Sequence, residues 1–368
     1  MTNVYLVSEP TYPYNEYNWT AQIQEIKNRN PDIILIISLF ELEAFDSIYG
    51  PFVQKISSWL RQNNKTIEAI VPGIRPNNFN HVHFHHIPGF IIYFYKQYNE
   101  YRYKRDLSSR SAINYDDCEH FNNSHLKLFT CYMNNPRYER ALLLDNLVKN
   151  ELVSKGVVTF HVRPTSAIFN NNTTEFYRWQ YHDGSRLFDE FDFVLNSQQQ
   201  YTGDKLPKSF FKAFLDIVCE SEYKDDWFFM TEKTLKSISS LKPFLTLASR
   251  GHNKEFLVKK YGFKLYDEYF DYSFDDKPLE GRVQGIVDNL KRLSDDIDLN
   301  KFTYKDLYRE LLPKLFYNQY RVLEIYHDKN LTLPDFIQKN FNDFSFINQP
   351  DPQIFLGYTQ WIHQKRNI

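Results

Sequence analysis

The sequence predicts an α/β protein made of two successive strand–helix halves and closed by helices. Three observations lead there. The run Asp32-Ile33-Ile34-Leu35-Ile36-Ile37-Ser38-Leu39-Phe40 has the continuous apolar, β-branched character of a strand buried on both faces of a parallel sheet. Strand-like and helix-like segments alternate around it and again after residue 125. The last hundred residues carry mostly helical periodicity, over 285–295 and 304–327.

In chain order, residues 4–7 form a short β-type run ended by Ser8-Glu9-Pro10, and 17–27 a helix. Residues 32–40 are the buried strand, 52–62 a helix, and 67–71 a strand that stops at the turn Pro72-Gly73. From 75 to 123 the pattern becomes irregular and rich in His, Tyr and Asn, and reads as active-face loops and the link between halves. The second alternation has strands at 126–133, 157–161, 214–220 and 243–247, with helices at 137–154, 232–240 and 253–261. Asn170-Asn171-Asn172 marks a polar excursion, and 188–195 fits either element. No repeat of fixed period is visible. Two such halves fit a pair of Rossmann-like domains facing across a cleft: 1–120 and 121–300, with 301–368 as helices packing across both. Ligands in such sheets bind at the carboxyl ends of strands, which directs attention to the loops after Met133 and Glu220.

The chain has 368 residues, 42% of them hydrophobic, enough for two ordinary cores. A formal net charge of −2 lacks the basic excess of a protein that coats nucleic acid. The stretch Tyr101-Arg102-Tyr103-Lys104-Arg105 is a local exception, read as a solvated loop in preference to a contact for an anionic partner. Three cysteines form neither a disulfide framework nor a metal-ligand spacing, and Cys131 and Cys219 sit in apolar runs as small core residues. The first residues lack the basic and long apolar regions of a signal peptide, and 33–40 is far too short to span a bilayer. A cytoplasmic protein without membrane insertion is expected. Heavy use of Asn, Lys, Ile, Phe and Tyr is compatible with an AT-rich genome such as a phage's.

Two constellations carry chemistry. In the first, the strand ending at Met133 runs through Asn134-Asn135-Pro136 into a helix, with Arg137 and Arg140 on one face of its first turn. Helix N-terminal N–H groups favour an anion, and two guanidiniums offer bidentate geometry for a diphosphate. The alternative is surface arginines paired with Glu139 or Asp145, which leaves cations at an unfavourable helix end. In the second, a strand delivers Glu220 and Ser221 to its carboxyl end, a short aromatic loop follows, and Thr231 caps a helix whose first turn holds Glu232 and Lys233. That carboxylate can accept from a ribose diol and that lysine can reach a phosphate. A capping acid beside a surface lysine would look the same.

The run Glu220-Ser221, the aromatic-containing loop and Thr231-Glu232-Lys233 is similar to the donor-site motif of the α1,3-fucosyltransferase family, where Glu-Asn-Ser precedes aromatic-Ile/Val-Thr-Glu-Lys at about this distance. The likeness continues through Pro243-Phe244-Leu245-Thr246-Leu247 and includes the strand leading to Arg137 and Arg140; it spans about 129–275. The resemblance implies a GT-B fold, a nucleoside diphosphate sugar as donor, inversion at the anomeric carbon, and no cofactor or obligatory metal. It would give Glu232 the ribose, and Lys233, Arg137 and Arg140 the phosphates. Glu222 and the longer loop 223–230 depart from the family pattern, and nothing in the first 120 residues matches its acceptor domain, so the sugar does not carry over. The acceptor expected is a glycan or, less favoured by the charge, a hydroxymethylated base in phage DNA. The competing reading is a non-catalytic nucleotide- or sugar-binding protein of the same fold.

Two further features are weighed. His81-Val82-His83-Phe84-His85-His86 would present His81, His83 and His85 on one strand face. Three imidazoles could bind a metal, though no clear carboxylate partner lies nearby in sequence, and they read chiefly as local or solvent-facing residues; His83, with Glu9, is the candidate for a general base. The one Asp-x-Asp match, Asp296-Ile297-Asp298, reads as a solvated turn rather than a metal-holding strand end, and Asp275-Asp276 as a loop without an assigned role. With only 11 Gly, Gly-rich phosphate loops are missing.

Overall fold

A computed structural model of the chain describes residues 3–7, 19–38, 42–75, 77–88, 126–133, 137–160, 210 and 212–327. Glu9, the basic stretch 101–105, Cys118, Asn170 to Asn172 and segment 188–195 therefore lie outside the described residues. The chain divides into two units. One comprises Met1–Asn99, Lys224–Thr231 and Val322–Ile368; the other Glu100–Tyr223 and Glu232–Arg321.

The first unit holds four parallel strands: β1 (Val4–Leu6), β2 (Ile33–Ile37), β3 (Ile67–Pro72) and β4 (Val82–Ile87), in the order β1-β2-β3-β4. The apolar run is β2, with Ile34, Leu35 and Ile36 buried at its centre. Helix α1 (Thr20–Arg29) links β1 to β2, and α2 (Leu42–Gln62) links β2 to β3. Phe45, Ile48, Tyr49, Phe52, Val53, Ile56 and Leu60 recur at helical spacing along α2 and are all buried. At ~1.5–3 kcal/mol for each fully buried side chain, that stripe seats the helix. It begins ten residues before the predicted start, because Pro51 is carried inside the helix on its exposed side.

β4 corrects the reading of 75–123 as irregular. It pairs in parallel with β3, from Ile67 opposite Val82 to Pro72 opposite Ile87. Parallel neighbours usually need a crossover of a dozen residues or more. Here residues 73–81 return the chain, and a loop of that length reaches ~30 Å, enough to retrace a strand of ~20 Å.

The second unit also holds four parallel strands: β5 (Lys127–Met133), β6 (Gly156–Phe160), β7 (Ala213–Cys219) and β8 (Phe244–Leu247). Their order is β6-β5-β7-β8, so successive strands first extend to one side of β5 and then to the other. Every residue of β7 is buried, as a central strand covered on both faces requires. Around it lie α3 (Tyr138–Lys149), α4 (Glu232–Ser239), a π-helix (His252–Lys260), α5 (Leu279–Asp298) and α6 (Tyr304–His327), the last grouped with this unit as far as Arg321. α3 ends earlier than the predicted helix: Glu151 turns left-handed at φ 57°, and a 3₁₀ turn, Val153–Lys155, follows. α5 runs on through Asp298, so Asp296-Ile297-Asp298 is its last turn and no free-standing turn. There Asp296 pairs with Lys301 at 2.6 Å and Asp298 with Lys155 at 2.7 Å. Cys131 and Cys219 are buried free thiols, and their mutual proximity together with burial raises that of Cys131.

Beneath this sheet runs a buried polar network. Asp216 on β7 accepts hydrogen bonds of 2.6 Å from Thr130 of β5 and from Ser237 of α4. Lys242 Nζ donates to Thr130 at 3.1 Å and to the carbonyl of Phe210. Burial drives Asp216 up and Lys242 down to about 7, each partly held by the other's charge. The network ties β5, β7 and α4 together at mid-sheet, with Lys242 entering from the amino end of β8.

Among the described residues no helix is long and apolar enough to cross a membrane.

Candidate functional site

In an open parallel sheet, the crevice for a ligand forms where connections leave neighbouring strands in opposite directions. In the second unit that point is between β5 and β7, at the carboxyl ends of Met133 and Cys219. Arg137 is the N-cap of α3, in extended conformation, and its Nη1 donates to the carbonyl of Ser221, the second residue past β7. Arg140, three residues on, is 4% exposed and reaches the carbonyl of Cys219 at 3.5 Å. Both guanidiniums therefore cross the switch point from the β5 side to the β7 side. Strand-end carbonyls offer these cations partial negative charge, a local reason for arginine at a helix N-terminus.

Lys233, in the first turn of α4, extends Nζ to Ser221 Oγ at 3.2 Å. Ser221 thus takes one cation on its carbonyl and one on its hydroxyl. Arg137 and Lys233 are half-buried, whereas Ser221 is 2% exposed. Of the surface-arginine alternative, the pairing of Arg140 with Glu139 is present, but both side chains are buried rather than at the surface. Glu139 is buried 3.8 Å from Arg140 Nε, while Asp145 pairs with Lys149.

The other sequence candidates take different places. Glu220 is fully buried and its Oε1 accepts from Thr234 Oγ1 at 2.5 Å, which fastens α4 to the end of β7. Glu232 is the first residue of α4. Thr231 is buried and groups with the first unit. His83 also belongs to the first unit, as the second residue of β4, at the amino end of that strand. Glu68 of β3, unnoticed in the sequence, faces both His83 (3.3 Å) and His85 (2.6 Å). Burial pushes its carboxyl up, but the two imidazoles outweigh this and hold it below the usual range. Only the β3–β4 register brings these groups together. Among the described residues no group of three His, Cys, Asp or Glu side chains is arranged to hold a metal.

The helix expected at 253–261 and the loop of Asp275-Asp276 form a second layer at the carboxyl edge. After β8 the chain turns at Gly251, left-handed at φ 79°, into the π-helix. Asp275 is buried and caps it, accepting from the backbone N–H groups of Asn253 (3.0 Å) and Lys254 (2.9 Å) and from Asn253 Nδ2 (2.8 Å). Asn253 in turn accepts from Thr246 of β8 at 2.7 Å. Its neighbour His252 is 1% exposed, with neither ring nitrogen hydrogen-bonded among the described residues. Burial lowers it to about 4, against the pull of Asp275, so the ring is neutral near pH 7. Ser249 Oγ reaches the carbonyl of Glu222 at 3.4 Å, joining the β8 and β7 loops. The helix itself is legible in the sequence; its cap by Asp275, 22 positions from Asn253, is not.

Two guanidiniums and an ammonium focused on one strand end can hold a multiply charged oxyanion, and the buried bonds beneath keep them in register. Comparisons with protein-family models, with curated proteins and with solved structures each return no match.

Proposed function

We propose that this protein is a glycosyltransferase that takes its sugar from a nucleoside diphosphate sugar bound by the second unit. The carrying observation is the convergence of Arg137, Arg140 and Lys233 on Ser221 and Cys219, at the reversal in strand order. Two parallel sheets in separate units are the frame of a GT-B enzyme, and that arrangement, with a cytoplasmic setting, belongs to the proposal. In the reaction, the oxygen of an acceptor hydroxyl attacks the anomeric carbon and gives its proton to a base. The bond from that carbon to the diphosphate oxygen breaks, and the diphosphate leaves with the electron pair. Arg137, Arg140 and Lys233 stabilise the charge that develops there. Glu232 at the head of α4 takes the ribose. The resemblance of these segments to α1,3-fucosyltransferases supports the same reading, with a glycan as the favoured acceptor over a hydroxymethylated DNA base.

A thermal-shift screen with UDP, GDP, CMP, ADP and dTDP tests the donor site. A nucleotide at ~100 times its Kd should add about 2.7 kcal/mol of stability, and Lys233→Ala should reduce the shift. No shift with any of the five would sink the donor-site assignment. Binding without hydrolysis or transfer of the sugar would favour the non-catalytic alternative.

A further inference from the structure

We infer that Arg282 is a positioning residue for the donor site, acting through the three residues Ser221, Glu222 and Tyr223 that follow β7. The inference rests on the donor-site reading above, and every residue it uses belongs to the second unit. Three successive carbonyls of this stretch each accept a hydrogen bond from a side chain of a different element. Arg137 at the head of α3 takes that of Ser221, and Ser249, past the end of β8, takes that of Glu222 at 3.4 Å. Arg282 of α5 takes that of Tyr223 at 2.8 Å. Backbone acceptors withdrawn from water need such partners, and here the partners hold the stretch from three sides.

Arg282 is the donor that helix formation does not explain. It is buried in the first turn of α5, where a cation faces the positive end of the helix dipole and a desolvated charge is costly unless bonded. Its fork answers both costs. Nη1 donates to the carbonyl of Lys277 at 2.9 Å while Nη2 holds Tyr223. Arg137 and Arg140 meet the same problem at the head of α3 in the same way, by donating to carbonyls at the end of β7. The root of Arg282 is firm. Val283, Ile286, Val287, Leu290 and Leu293 form a buried stripe along α5. Gly285 lets the helix lie directly on Phe274, where a Cβ would collide with that side chain. Lys277 follows the 3₁₀ turn Ser273–Asp276, which carries the Asp275 cap. The guanidinium therefore ties the stretch after β7 to a layer that is itself fixed. Two residues before Tyr223, Ser221 offers its carbonyl to Arg137 and its hydroxyl to Lys233. Releasing Tyr223 loosens the residue on which both cations converge.

The test introduces Arg282→Met into the unaltered chain and into Lys233→Ala, and measures UDP and GDP affinity and hydrogen exchange of residues 216–223. In the unaltered chain Arg282→Met should weaken nucleotide binding by about two- to thirty-fold and speed that exchange. In Lys233→Ala the same change should have a smaller effect on affinity, because the ammonium that Ser221 holds is already gone. An equal fold-loss in both backgrounds is what general destabilisation would give, and would overturn the inference, as would unchanged affinity in the first. If Arg282→Met fails to fold, Arg282→Lys keeps the cation but replaces the fork by a point donor, and the same comparison decides. If the unaltered chain binds neither nucleotide, the donor assignment fails. Exchange then decides the holding role alone: faster exchange over 216–223 in the variant upholds it, and unchanged exchange removes it.

Discussion

The two sheets share four parallel strands and differ in one respect, the order in which the chain visits them. In the first unit the order follows the sequence, β1 to β4, and the described strands contain no reversal. In the second, β5 lies inside and the chain extends to either side of it. The chemistry follows the reversal. Among the described residues the first core is aliphatic and aromatic, with Arg75 as its buried charge, whereas the second unit buries Asp216, Glu220, Glu222, Arg140, Lys236 and Lys242. Burying such groups is costly unless they are paired or hydrogen-bonded, so a fold carries them where geometry or function requires them. The difference teaches that local strand physics does not locate a site; connectivity does.

Four measurements would break or sharpen that contrast, from the largest expected effect to the smallest. Asp216→Asn removes the anion facing Lys242 and should cost ~3 kcal/mol or more in urea unfolding. A loss under about 1 kcal/mol would mean that the second core does not depend on its buried charges. Next comes acid sensitivity. His252 is lowered in the folded chain to about 4, below the ~6.5 of an unfolded histidine. Between these values the unfolded state binds the extra proton, so stability is complete above ~6.5 and falls as the pH drops towards 4. The loss should be ~2 kcal/mol between pH 7 and pH 5, and His252→Leu should flatten that slope in unfolding curves at the two pH values. In the first unit, Ile36→Val should cost only ~1 kcal/mol, the ordinary price of one buried methyl group. Finally, His83→Ala alters a side chain that is 63% exposed, and should shift stability by less than ~0.5 kcal/mol. A larger effect would show that the imidazole–carboxylate contact with Glu68 is structural.

Much of the fold was legible because strong local patterns need no partner to be read. The β-branched run of β2, the apolar β7 and the full extent of α6 stand out from residue order alone. β4 was not legible, since His83, His85 and His86 lack the usual composition of a strand and only pairing with β3 makes them one. The helix over 52–62 was legible but not its first ten residues, since α2 carries Pro51 in its interior, on the solvent side. At the site, Arg137, Arg140, Ser221 and Lys233 were nameable from spacing, but their common focus was not. Arg137 meets Ser221 across 84 positions of sequence, through a strand order that periodicity cannot reveal. The same holds for Asp216 and Lys242, which meet by way of Thr130 on another strand. Glu220 came with its motif, whereas its buried bond from Thr234, which fastens α4 to β7, is visible only in the fold.

The division of the chain bears on the order of folding. Pairing in the first sheet is between strands adjacent in sequence, so loop closure is cheap and the sheet can assemble by Ile87 as the chain is made. Its core is incomplete at that stage, since Trp227 and Phe229 are supplied more than a hundred residues later, after β7. Arg75 must meanwhile wait beside Phe45, Phe79 and Phe84 without its fourth ring. A nascent chain halted before Trp227 is thus predicted to be cut readily by protease within α2, and one extended past Thr231 to resist. During synthesis the earliest unit to begin folding is thus held open until β7 and the residues that follow it have also been made.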